Sequence, residues 1–144
     1  MQRKIEDLRL KLYSMPLEQL ENQLLIYLRN IGDFPLGSKE DQLFVFAEEY
    51  AESCKRNGRQ IHEDMYAGER MTQGEFFERI DKVALDLRRA SILFRALHKY
   101  CTERGYLENS EYFKFEQARL EGNAKVNELW VKSMREGDTK QKSN

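Results

Sequence analysis

Proline and cysteine occur twice each and tryptophan once in these 144 residues, and no run of apolar residues is long. Each scarcity excludes something. Two prolines impose few breaks, so long helices meet little resistance. Two cysteines, Cys54 and Cys101, cannot build the disulfide framework of a small secreted domain, and reduced thiols in a cytoplasmic compartment are the simplest expectation. The longest apolar cluster, Leu24 to Leu28, falls far short of the roughly eighteen residues that cross a bilayer, so a membrane is not expected among the partners. The first fifteen residues hold Arg3, Lys4, Glu6, Asp7, Arg9 and Lys11 and so lack the apolar heart of an export signal. An excess of one charge is missing too: 24 Lys and Arg stand against 25 Asp and Glu, and a net charge of -1 draws the chain neither to nucleic acid nor to anionic lipid.

What is present is helical. Alternation of apolar and polar residues never persists, so strands are not expected and the fold class is all-α. With 40% apolar and 34% charged residues, residues 1–136 read as one helical domain with a charged surface, and residues 137–144, which contain nothing apolar, as a disordered tail. Ile5, Leu8 and Leu12 mark a first helix over residues 2–13, and Pro16 suits the first turn of a second that ends near Ile31 before Gly32 and Pro35. Ser38 and Asp41 approximate a capping box for a third helix, carrying Leu43, Ala47, Tyr50 and Cys54 in one row and ending near Lys55. Residues 57–71 contain two glycines and read as a long connection. Ser110 can open a last helix, with a break expected at Gly122 and Asn123.

The most regular pattern lies between. Phe76, Ile80, Val83, Leu87, Ala90, Phe94, Leu97 and Cys101 alternate four and three apart, a coiled-coil-like row on a helix of about residues 73–104 that Thr72 and Glu75 cap and Gly105 closes. A bundle of roughly four to six helices around this one is the expected architecture. Leu85, Ile92, Leu93, Ala96 and Tyr100 form a second apolar surface on its far side. A helix of that length spans about 45 Å, and covering both faces asks much of the remaining chain. These five residues are therefore the expected partner-binding surface, with another protein or a second copy as the partner and a homodimer as the simplest assembly.

Chemistry-bearing residues are few. Cys54, His62, His98 and Cys101 could in principle ligate a metal, but their spacing matches no zinc module, and no metal is expected. No Gly-rich phosphate loop, dinucleotide fingerprint or nucleophile elbow occurs, so no cofactor is expected. Arg88, Arg95 and Lys99 share one face of the long helix and could follow phosphates, the one local argument for nucleic acid. The segment Arg56-Asn57-Gly58-Arg59-Gln60-Ile61-His62 resembles the arginine, polar residue, spacer, histidine motif of the HEPN family of all-α ribonucleases. That resemblance implies an RNA-cleaving alternative with Arg56 and His62 as catalytic residues, the arginine steadying phosphate charge and the histidine passing a proton. The leading expectation is a non-catalytic interaction or adaptor module that self-associates through the long helix.

Overall fold

The computed structural model describes the backbone of residues 2–30, 42–66 and 72–143, and the side chains of residues 6–30, 44–64 and 72–136. Among these residues the structure is five helices with no strand: α1 (Gln2–Ser14), α2 (Leu17–Asn30), α3 (Gln42–Tyr66), α4 (Gln73–Arg104) and α5 (Leu107–Ser143). The capping box expected at Ser38 and Asp41 and the stop at Gly32 and Pro35 lie outside the described residues.

The ends of α4 follow from its caps. The Thr72 hydroxyl accepts from the Glu75 amide at 3.1 Å, and Gly105 adopts φ 79°, a left-handed conformation that only glycine takes without strain. The Gly105 and Tyr106 amides then close the last turn on Thr102 and Cys101 at 3.2 and 2.9 Å, and α5 starts at once. This two-residue link folds α5 back along α4 as an antiparallel hairpin. Helices α2 and α3 pack on other sides of α4, and α1 rests on α2 and α3.

That arrangement makes α4 the axis of the molecule, with fifteen of its 32 residues buried. The heptad row is covered as expected. Around it the core gathers Leu8 and Leu12 of α1, Leu20, Leu24 and Leu28 of α2, Phe44, Ala47 and Ala51 of α3, and Phe113, Leu120 and Ala124 of α5.

Two elements run further than their sequence suggests. Helix α3 does not stop near Lys55 but continues through Gly58 to Tyr66, taking in most of the segment expected as a connection. The reason is tertiary: a Cβ on Gly58 would sit 3.3 Å from Val83 Cγ1, so the missing side chain lets α3 lie close against α4. Helix α5 likewise passes through Gly122 and Asn123 without a break, because α4 supports its inner face at Leu120 and Ala124, both fully buried. Helix α5 is described to Ser143.

Candidate functional site

The second apolar face of α4 is closed by the chain itself. Ile92, Leu93, Ala96 and Tyr100 are 8%, 0%, 0% and 1% exposed, whereas Leu85 retains 38%. Four of the five residues expected to meet a partner are thus core, because helices on three sides cover a surface that a single hairpin could not. Every other expected site residue has a definite place as well. Arg88 donates to Glu128 at 2.7 and 2.9 Å and lies 3.7 Å from Glu121 on α5, while Arg95 donates to Glu21 on α2 at 2.9 Å and Lys99 pairs with the same carboxylate. The basic row expected to follow phosphates is therefore a set of interhelical clasps, and its charges are answered within the fold.

These pairs leave a mark on the acids. Burial pushes the Glu21 carboxyl up, but the hydrogen bond from Lys99 and the charges of Arg95 and Lys99 outweigh it and hold the group below the usual carboxylate range. The hydrogen bond from Arg88 does the same for Glu128.

Cys54, His62, His98 and Cys101 are each engaged separately. Cys54 Sγ points at the Asp86 carbonyl at 3.7 Å, and burial together with the Asp86 charge pushes its thiol up to about 12. Burial does the same to Cys101, also to about 12. His98 Nδ1 lies 2.9 Å from the Ser110 carbonyl and 3.0 Å from its hydroxyl, tying α4 to the first turn of α5. Among the described residues no three His, Cys, Asp or Glu side chains are grouped to hold a metal ion.

His62 sits in a groove between α3 and α5. Both helices lie on α4, and they meet each other mainly through long side chains. At one end Phe44 packs on Tyr112 and Phe113 with ring centres 5.1 and 5.4 Å apart, and at the other His62 stacks on Trp130 at 4.7 Å and 23°. Between them runs a cavity of about 410 Å³ with Leu87 and Cys54 in its lining and Lys55, Arg59, Arg119, Asn123 and Asn127 around them. Arg56 is exposed and does not line it. Six residues of α-helix turn through about 600°, so Arg56 and His62 point about 120° apart. The arginine that accompanies His62 is Arg59, one turn before it on α3.

A second feature lies on the outer face of α5. Phe115, Val126 and Leu129 are 64%, 66% and 64% exposed, large apolar side chains in water on a helix whose opposite face is core. With Ala118 and Gly122, also exposed, they form one stripe. Its signal was present in the sequence: Phe115, Gly122 and Leu129 are seven apart, but reading Gly122 as a helix break divides the row. The Phe113 and Phe115 pair shows the same split, with Phe113 fully buried and Phe115 outside.

No family model matches the chain, and neither curated proteins nor solved structures give a significant match. Among the described residues no helix is long and apolar enough to cross a membrane.

Proposed function

We propose that this protein is a helical interaction module that works by binding and pairs with a second copy of itself through the outer face of α5. The carrying observation is the exposed stripe and its symmetry. Measured from Gly122, apolar residues stand at seven and four positions before it (Phe115, Ala118) and at four and seven after it (Val126, Leu129). Two antiparallel copies related by a two-fold axis at Gly122 would place Phe115 against the partner's Leu129 and Ala118 against the partner's Val126. At the axis glycine would meet glycine, where a Cβ has open space within the chain and two backbones can approach closely. The stripe is about 21 Å long at helical rise, enough for four interlocking layers. The buried, protonated thiols suit a reducing, cytoplasmic setting, and nothing in the stripe calls for nucleic acid or lipid.

Sedimentation velocity over a concentration series tests the reading. A dimer is expected that Leu129→Glu and Gly122→Glu both convert to a folded monomer, with helical content and melting retained because both sites are exposed. A wild-type chain that stays monomeric at high micromolar concentration, or a dimer indifferent to both substitutions, overturns it. The RNA-cleaving alternative would need Arg56 and His62 to converge across a cleft with their dimer mates, and within one chain they point about 120° apart.

A further inference from the structure

The α3/α5 groove is polarised along its length. Toward Tyr112 it is acidic, with Glu48, Glu52 and Glu116 lining it and the Tyr112 hydroxyl donating to Glu48 at 2.9 Å. In the middle, Lys55 Nζ lies 3.5 Å from both Glu52 and Glu116, and Arg119 donates to Glu116 at 3.1 Å. The larger cavity adds Arg59, His62, Asn123 and Asn127 to this lining, with Glu52 as its carboxylate. Three cations therefore face two carboxylates in the larger cavity once Glu116 is counted, and the surplus positive charge is at the Arg59 end.

Arg59 is a cation of the larger cavity's lining that has no carboxylate partner among the described residues. Arg88, Arg95, Lys99 and Arg119 all have carboxylates on neighbouring turns or helices, yet among the described residues Arg59 has none. It stands at the mouth of a cavity whose volume of about 410 Å³ lies within the range of small-molecule sites. Asn127 Nδ2 donates to the Asn123 backbone carbonyl at 2.8 Å, and the exposed Asn123 side-chain amide beside it is a neutral donor. Arg59 and Asn123 line one cavity from two different helices, and a guanidinium with a neutral amide is a donor set that suits phosphate oxygens. Asn123 is on α5 and Arg59 on α3, so the pair exists only because α3 continues past Gly58 and α5 past Gly122.

We propose that the Arg59 end of this groove binds the phosphate group of a small phosphate ester of mononucleotide size, with Arg59 supplying the charge and Asn123 a neutral hydrogen bond. The site is built within one chain, from α3 and α5. Trp130, the chain's one tryptophan, stacks on His62 at the edge of the cavity and reports on it by fluorescence.

The experiment is a titration of Trp130 emission at constant ionic strength with AMP, inorganic phosphate and adenosine, repeated on the Leu129→Glu chain. AMP and inorganic phosphate are expected to give saturable changes and adenosine none. Arg59→Ala is expected to weaken both by about tenfold or more, Arg59→Lys by less, and Arg56→Ala, outside the cavity, not at all. Thermal melts check that each variant is folded. A response to adenosine equal to that of AMP overturns the proposal, as does an Arg59→Ala titration that matches wild type. So does the absence of any saturable change, in Trp130 emission and in the amide NMR shifts of residues 119–127, at about 10 mM AMP, where even a millimolar site fills.

Discussion

Single residues decide more here than their chemistry advertises. Gly58 and Gly122 are both helical glycines, but one faces the Val83 methyl at 3.3 Å and the other faces open space. Alanine gains about 1 kcal/mol of helix propensity over glycine at either position. At Gly58 that gain meets Val83, which is 4% exposed and stiff at its branched Cβ, so Gly58→Ala is expected to lower stability by about 1 kcal/mol net. Gly122→Ala is expected to raise it by a similar amount when placed in the monomeric Leu129→Glu background. Urea unfolding of the two variants checks the opposite signs. The thiols give a second residue-scale expectation: with both pushed up to about 12, Cys54 and Cys101 carry almost no thiolate at pH 8. A colourless thiol reagent such as iodoacetamide should leave both unmodified in the native protein and label both in denaturant, read by mass spectrometry.

At the scale of elements, α4 shows what periodicity can and cannot say. Its span, both caps and its heptad row follow from residues 72–105, because Thr72, Glu75 and Gly105 act locally and the row needs only helical geometry. Whether Leu93 and Tyr100 face a partner or a neighbouring helix is not local. It depends on α2, α3 and α5 all docking on one helix, and no spacing within α4 records that. Leu93→Glu should therefore unfold the protein instead of freeing it from a partner, and Leu93→Ala should cost about 2–5 kcal/mol, measured by thermal melting. The same limit hid the groove. Arg56 and His62 form a linear motif, whereas Arg59 and Asn123 become neighbours of one cavity only because α3 continues past Gly58 and α5 past Gly122. Glycine's low helix propensity marks Gly58 and Gly122 as helix ends, and at both positions packing overrides it.

The whole molecule is held by charge in a way its net charge of -1 conceals. Glu21, Asp64, Glu103, Glu121 and Glu128 all have carboxyls held below their ordinary range, chiefly through hydrogen bonds and ion pairs with neighbouring cations and amides that outweigh burial where burial opposes them. A carboxylate with a lowered native pKa protects the fold above its unfolded pKa and loses that effect as the pH falls through the native one. Burial pushes Asp86 the other way, against the pull of Arg89 and Lys82, so its protonation relieves a cost; it is one group against five. Melting temperature should accordingly be flat near neutrality and fall as the pH drops below about 4, and added salt should flatten that slope because most of these pairs touch solvent. Differential scanning calorimetry across pH 3–7 at low and high salt measures both effects.

The link Gly105–Tyr106 also carries a consequence for how the chain acquires its shape. It joins the two longest helices, so the contacts nearest the link close short loops, and the hairpin is expected to form early in folding. If that hairpin serves as the template on which α1, α2 and α3 assemble, its amides near Ala90 to Cys101 should exchange hydrogen most slowly while those of α1 exchange first. Losing the left-handed residue, as in Gly105→Val, would then slow folding far more than it speeds unfolding.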